Sequence, residues 1–347
     1  MKLSEKIRNK YNPNGEIFNL FPPVPVRHVQ IEISNLCNYQ CIFCPRTKTV
    51  RKKGMIEDDL FYRLLQEVYD FGAREMSFHY SGDPFLHPKL AEYVKRAKEV
   101  GYSYVYIDTN GAEASPERIR AVIDAGVDSI KFSVNAGAKE TYAFIHGVDA
   151  LDTVIKNITY CDQYRKEFNP QMKLFVSCVY TKYTQDERQQ IAELFHFCDE
   201  VIFQPAADFS GVMPEVNELL KGEGDNNYSN VCPCPMVFGG IYITYEGYLS
   251  ACCTNFDNHV VVADLKKMSL RDAWYGKKMT ELRRRHLENN LKGLVCYNCV
   301  YHQKEPFEAL CPKYASQVVL SDYYDNTNVA RRIQEYEKSK GDMRWRL

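Results

Sequence analysis

From His28 to Pro205 short β-rich runs alternate with segments of helical period, and that alternation narrows the fold more than any other feature of the chain. The strand-like runs are His28–Ile33, Glu75–Tyr80, Tyr104–Asp108, Ser129–Val134, Leu174–Tyr180 and Val201–Gln204. Helical period covers Glu57–Phe71, Pro88–Val100, Pro116–Ala125, Ala150–Phe168 and Asp186–Phe197 between them. Ser115-Pro116 ahead of one helix, and Gly101 and Gly126 behind two others, are start and stop signals. Strands alternating with helices build a parallel sheet with right-handed crossovers. Six units are too few for a closed eightfold barrel, so a doubly wound sheet and an open partial barrel both fit the pattern. In either, chemistry sits at the C-terminal ends of the strands.

The loop after the first strand carries Cys37, Cys41 and Cys44 within eight residues. Thirteen cysteines is an odd and large count for a chain of 347 residues that shows no signal peptide. Seven more (Cys232, Cys234, Cys252, Cys253, Cys296, Cys299 and Cys311) crowd the last third. Cys161, Cys178 and Cys198 lie between the groups in apolar or helical contexts and read as inert core thiols. The two crowded groups read as metal ligands. Three thiolates wrap one small centre, and three ligands on a four-iron cluster leave one iron open. An open coordination position is what separates a catalytic metal from a structural one; zinc with a distant fourth ligand is the alternative.

The remaining segments are simpler. Residues 1–27 read as an irregular arm broken by Pro13, Pro22, Pro23 and Pro25, and 207–230 as a linker holding Gly211, Pro214, Gly222 and Gly224. A hairpin is expected over Gly240–Thr244 and Tyr248–Cys252, a helix over Ser269–Asn289, and helical period in the tail from Asn328 to Lys340. Forty-four Lys and Arg against forty-five Asp and Glu argue against a nucleic-acid-binding surface. The Arg283-Arg284-Arg285-His286 run reads as a solvated helix face. No stretch of about 18 apolar residues exists to span a membrane, and a cytoplasmic location is expected.

The C-x3-C-x2-C spacing of Cys37, Cys41 and Cys44, with Phe43 before the last cysteine, resembles the signature of the radical S-adenosylmethionine (SAM) enzymes. Further features follow in order. Ser81-Gly82-Asp83-Pro84 resembles the glycine-rich segment that holds the methionine amino group. Asn110, in Asp108-Thr109-Asn110-Gly111, resembles the turn after the third strand; Ser133 and Asn135 resemble polar positions near the ribose. The resemblance covers about residues 28–206. It implies an α/β fold, a partial (β/α)6 barrel of the TIM type, with a SAM-binding 4Fe–4S cluster on Cys37, Cys41 and Cys44. Relatives with extra clusters often show an arginine just before the glycine of the Glu140–Gly147 stretch, where it meets the SAM carboxylate. This chain has His146, a weaker anion partner without arginine's bidentate fork. His146 acts there while protonated, or another residue does the work.

In the second group twelve residues separate Cys234 from Gly247 and four separate Gly247 from Cys252; Cys296-Tyr-Asn-Cys299 comes later. From spacing alone, structural zinc and iron–sulfur stand level. The C-x12-G-x4-C run followed by C-x2-C resembles the auxiliary-cluster domains called SPASM and their shorter form, twitch. It implies a second 4Fe–4S cluster on Cys234, Cys252, Cys296 and Cys299, in a small cysteine-rich α+β domain over residues 231–311. Cys232 is an alternative to Cys234 and Cys253 to Cys252, with Cys311 ligating or idle.

A fully ligated cluster has no open iron, so its expected job is electron transfer. Together the two sites imply dehydrogenation of a small hydroxylated substrate, a sugar or cyclitol, as in the twitch-type aminocyclitol dehydrogenases, with a flavodoxin- or ferredoxin-type electron donor. Candidate bases are Tyr80, Asp108, Lys182 and neighbours of Gln204. A radical epimerase using a spare thiol, a peptide maturase and a zinc-bound scaffold are the other readings. Only 36 residues precede Cys37, too few for a leader-binding domain there.

Overall fold

The computed structural model describes residues 2–5, 17–22, 28–206, 232–254, 256–317 and 327–344, with the isolated residues 209, 213 and 219. The expected arm at 1–27 and linker at 207–230 fall largely outside these residues. Strands β1 (His28–Ile31), β2 (Glu75–Ser77), β3 (Tyr104–Thr109), β4 (Ser129–Ser133), β5 (Lys173–Tyr180) and β6 (Glu200–Pro205) lie side by side in chain order, all parallel. Helices α1 (Asp58–Asp70), α2 (Leu90–Val100), α3 (Pro116–Asp124), α4 (Lys139–His146), α5 (Leu151–Phe168) and α6 (Arg188–Leu194) run between them.

These helices form for local reasons. On α1 the buried residues are Phe61, Leu64, Leu65 and Val68, the i, i+3, i+4, i+7 stripe of an amphipathic helix. Helix α3 starts at Ser115, whose Oγ accepts from the Arg118 N–H, with Pro116 in the first turn. The sheet curls as well as twists. His28 Nδ1 on β1 lies 2.9 Å from Tyr106 Oη on β3, which requires the two side chains to meet on the concave face above β2. On β3, Val105 and Ile107 point to the helices while Tyr104, Tyr106 and Asp108 point inward. The open partial barrel is the form the chain adopts.

The cysteine-rich segment extends the same sheet. Strand β7 (Gly240–Ile243) pairs parallel to β1, with His28 opposite Gly240 and Ile31 opposite Ile243. Strands β8 (Tyr248–Ser250) and β9 (Val261–Asp264) add antiparallel to it, giving nine strands in the order β6-β5-β4-β3-β2-β1-β7-β8-β9. The hairpin was legible, but β9 was not. The expected single helix over Ser269–Asn289 is two, α8 (Leu270–Trp274) and α9 (Lys277–Leu287), broken at Gly276, where an added Cβ would lie 2.6 Å from Asp272 O. Short helices α7 (Pro235–Gly239) and α10 (Val295–Tyr301) carry cysteines at or near their starts, and α11 (Thr327–Arg344) forms the expected helical tail.

The basic run on α9 does not form a solvated face. Arg283 is 0% exposed: it donates to Trp274 O at 2.8 Å and to Val237 O at 3.3 Å, and its guanidinium lies over the Trp274 ring. His286, one turn on, is buried as well; only Arg284 keeps the expected exposed character, paired with Glu281. Carbonyls left over at the ends of neighbouring elements stabilise Arg283, which the local charge pattern does not reveal.

Candidate active site

The first cysteine loop leaves the C-terminal end of β1 and is held from three sides. Asn110 Nδ2, in the turn after β3, donates to Asn38 Oδ1 at 2.8 Å and to Cys37 Sγ at 3.8 Å. Gln40 N–H and Ile42 N–H donate to His146 O and Ile145 O, the last carbonyls of α4, both at 3.0 Å. Ile42 and Phe43 pack with Ile145 and with Val329 of α11. Phe43 is therefore a packing residue of this loop, with its ring in that apolar cluster.

Cys37, Cys41 and Cys44 stand close enough for their charges to interact. Burial pushes the Cys44 thiol up to about 12 and raises Cys41 and Cys37 as well. Thiols buried this way ionise only with a positive centre beside them, which a metal cluster supplies. Among the described residues no three His, Cys, Asp or Glu side chains converge as they would around one metal ion. Thiolates at the corners of a multi-iron cluster stand further apart than that, and the donor set of three thiols fits such a cluster with one corner open.

The segment after β2 is built around a buried carboxylate. Asp83 accepts from Phe85 N–H at 2.9 Å, Thr109 Oγ1 at 2.9 Å and Asn110 N–H at 2.7 Å, so it ties the β2 turn to the β3 turn. Burial still lifts it to about 6. Gly82 allows this turn to approach β1: a Cβ there would lie 2.5 Å from both Ser34 O and Leu36 O. Pro84 starts a single 3-10 turn. Ser81 donates from Oγ to Glu32 Oε1, a residue the motifs did not single out. Glu32 also pairs with Arg51 and accepts from Tyr245 N–H at 3.1 Å, and Arg51 reaches Glu246 at 3.2 Å. One buried carboxylate thus joins β1, the segment at Ser81 and the β7–β8 turn.

At the end of β4, Asn135 accepts from Val179 N–H at 2.7 Å, and its amide nitrogen lies 3.3 Å from Ser133 Oγ and 3.4 Å from His146 Nε2. His146 Nδ1 is 3.1 Å from Cys41 Sγ. Burial depresses His146 to about 3, with Arg332 adding to the effect, so its ring is neutral. The structure does not favour the protonated role for His146.

Inside the barrel a polar layer crosses four strands. Lys131 Nζ and His79 Nε2 lie 2.7 Å and 3.1 Å from Asp108 Oδ2, and the Gln30 amide nitrogen lies 2.6 Å from His79 Nε2. Only Asp108 of this group was picked out from sequence. Its partners were signalled by period-two placement: Gln30 and Lys131 fall on inward positions of β1 and β4, and His79 continues the alternation two residues past the end of β2. The other candidate bases are engaged elsewhere. Tyr80 donates to Cys252 O at 2.7 Å, and Lys182 pairs with Glu337 of α11 at 2.8 Å.

The second cysteine group gathers where β8 ends beside α7 and α10. Cys234 is within electrostatic reach of Cys232 and Cys253, Cys252 of Cys253 and Cys234, and Cys296 of Cys234 and Cys232. Burial pushes Cys234 up to about 11 and Cys296 up to about 12. Cys299 follows Cys296 by three residues on α10, on the same side of the helix. Cys232 Sγ donates to His286 O at 3.1 Å, and the Cys234 N–H donates to His286 Nδ1 at 3.4 Å. Cys311 is buried, with its thiol directed at Val262 O at 3.7 Å. Tyr80, Met236, Tyr242 and Phe256 form a packed layer with Cys44 on its border and Cys234 and Cys253 also against it. The two cysteine groups therefore face one aromatic layer.

Comparison with known proteins places each cysteine group, Cys311 apart, within a matched domain. Residues 31–195 match the model of the Radical SAM superfamily, and residues 232–300 match that of SPASM, an iron–sulfur cluster-binding domain. The S-adenosyl-L-methionine-dependent 2-deoxy-scyllo-inosamine dehydrogenase of Niallia circulans is 22% identical over 282 residues, 78% of this chain and 91% of that protein. The fold is similar to the crystal structure of BtrN in complex with AdoMet and 2-DOIA (TM-score 0.54, 17% identity, 80% of this chain and 92% of that one). It is also similar to Streptococcus suis SuiB bound to precursor peptide SuiA (TM-score 0.60, 14% identity, 75% of this chain and 67% of that one).

Proposed function

This chain carries a radical SAM domain followed by a SPASM domain, hence a 4Fe–4S cluster, SAM and further iron–sulfur, and on that premise we propose that it dehydrogenates a small hydroxylated substrate of the sugar or cyclitol type. The observation that carries this reading is the shared aromatic layer, against which Cys44 of the first group and Cys234 and Cys253 of the second all pack. With SAM bound, a cluster on Cys37, Cys41 and Cys44 would supply the radical chemistry that removes hydrogen from an unactivated C–H, and a fully ligated auxiliary cluster would supply a sink for one electron. An external flavodoxin- or ferredoxin-type protein supplies the starting electron.

Within the proposal, Cys37, Cys41 and Cys44 hold the SAM-binding cluster, and Cys234, Cys252, Cys296 and Cys299 the auxiliary one. The backbone of Ser81 and Gly82 receives the methionine amino group, with Asp83 and Pro84 shaping that turn from behind. Asn110, Ser133 and Asn135 line the nucleoside side. Oxidising a carbinol to a carbonyl releases one hydrogen atom, one electron and the hydroxyl proton. The proton goes to the His79 imidazole, whose Nε2 faces Asp108 Oδ2 at 3.1 Å so that the carboxylate stabilises the imidazolium, while Lys131 holds the carboxylate in place. The amine-bearing substrate in the relative's name supports the substrate class, and the polar interior of the barrel suits several hydroxyls.

The test is anaerobic reconstitution with counts of iron, sulfide and zinc, then SAM, dithionite and a panel of sugars and cyclitols. Two four-iron clusters predict about eight irons per chain, halved when Cys37, Cys41 and Cys44 are changed to Ala. A two-electron-oxidised product formed with one 5′-deoxyadenosine supports dehydrogenation. About four irons with one zinc would remove the electron acceptor. Solvent deuterium in an otherwise unoxidised product would favour epimerisation, for which Cys253, packed against the aromatic layer, is the available thiol.

A further inference from the structure

The replacement of an expected arginine by His146 leaves the cofactor carboxylate without an evident partner, and His146 has no nitrogen to offer it. Its Nδ1 faces Cys41 Sγ at 3.1 Å, its Nε2 faces the Asn135 amide at 3.4 Å, and the side chain is 1% exposed. A guanidinium reaches the same place from almost two hundred residues later in the chain. Arg332 on α11 donates from Nη1 to Gln40 O at 2.6 Å and from Nη2 to Phe144 O. Gln40 precedes Cys41, and Phe144 lies in the last turn of α4. The two Nη atoms sit 3.1 and 3.2 Å from where a Cβ on Gly147 would be, and Gly147 has φ +75°, so the residue after His146 leaves that space to the guanidinium.

We propose that Arg332 of the C-terminal helix is the anchor for the SAM carboxylate in this protein, in place of the arginine absent at position 146. The inference rests on the SAM-binding reading of the first cysteine loop. Two neutral carbonyls aim the guanidinium without cancelling its charge, and two of its five N–H donors are used on them. Among the described residues no carboxylate pairs with it. Arg332 lines a cavity of about 300 Å³ together with Tyr39 and Gln40 of the cysteine loop and Ser81, so the cavity reaches from the guanidinium to the segment assigned to the methionine amino group. The anionic end of an α-amino acid suits this cavity, whose lining adds Arg46, Arg51 and Lys53 to Arg332 and, among the described residues, includes no carboxylate.

The helix that carries Arg332 is fixed rather than loosely placed. Tyr336 stacks on Phe144 with centroids 3.8 Å apart and planes at 7°, Glu337 accepts from Lys182 at 2.8 Å and from Tyr183 Oη at 2.7 Å, and Lys340 pairs with Glu140 at 3.1 Å. An anchor held by such contacts loses little freedom when it takes up an anion.

The experiment measures binding to the reconstituted full-length holoenzyme by equilibrium dialysis, using SAM and decarboxylated SAM as the two probes. Arg332→Met is expected to weaken SAM binding at least tenfold and to leave decarboxylated SAM unchanged. Arg332→Lys, which keeps the charge but not the fork, is expected to fall between. The concentration of SAM that perturbs the spectrum of the reduced cluster should rise in parallel. Equal losses for both probes would assign Arg332 a general structural role, and no loss for either would make it a bystander; each result overturns the proposal. A wild-type holoenzyme that binds neither probe would overturn the cofactor reading itself, which separates the two failures.

Discussion

Glu32 shows how much rests on one side chain. It is 0% exposed, pairs with the buried Arg51, and receives hydrogen bonds from Ser81 and from the Tyr245 N–H. Removing one member of a buried ion pair leaves the other charge unpaired in a low dielectric, which costs about 3–5 kcal/mol. Glu32→Gln keeps the shape and removes the charge, so it should destabilise the protein by about that much in denaturant unfolding. Glu32→Leu with Arg51→Met should cost less than the sum of the single changes, because neither member of the buried pair is then left charged and alone, and only the partly exposed Glu246 loses a partner. An additive double variant would mean that the two groups do not act as a pair. Glu32 was within reach of sequence reasoning: with Gln30 and His28 it falls on alternate positions of a strand, where inward-facing polar residues mark a barrel interior used for more than packing. Its partner was not, since nothing local to Arg51 points back across nineteen residues.

At the scale of elements, local signals worked where an element answers to its own sequence. Helix α1 shows its apolar stripe, α3 its cap, and α2 its closing Gly101 at φ +110°. They failed where another element decides. Helix α4 has no side-chain cap at its start, and β9 is too short to show a period, so neither was expected. Helix α9 gives the sharpest case, because Arg283 and Arg284 are neighbours of identical chemistry with opposite environments. Arg283 fills a buried site over Trp274 and donates to Trp274, Val237 and Leu20 carbonyls; Arg284 meets only Glu281 at the surface. Arg283→Met should cost about 2–3 kcal/mol through unsatisfied buried carbonyls, whereas Arg284→Met should stay within about 0.5 kcal/mol. Parallel thermal or urea unfolding of the two variants checks this, and similar values for both would return the run to a solvated face.

Over the whole molecule, the cysteine loops could be read in sequence but their relation to each other could not. Each motif is a short-range object, while the contacts that bring them to one aromatic layer are long-range. Strand β7 pairs with β1 across about two hundred residues, and Tyr80 reaches Cys252 O. The tail is the same kind of feature: its helical period predicted α11, but not that Val329, 1% exposed, would pack on Ile42 and Phe43 between two of the cysteines. That packing makes α11 a cover for the first cysteine loop, and among the described residues it has no such packing on the second. Removal of residues 327–347 should then uncover one centre selectively. Far-UV circular dichroism should show the barrel intact, because β1–β6 and α1–α6 are complete without the tail. Under anaerobic challenge with an iron chelator, about half of the iron should leave at least tenfold faster than from the full chain, with the other half unchanged. The fast half should vanish when Cys37, Cys41 and Cys44 are already alanine, which assigns it to the first loop. If both halves are lost faster, the tail stabilises the whole molecule; if neither is, α11 covers nothing that limits access to the cluster.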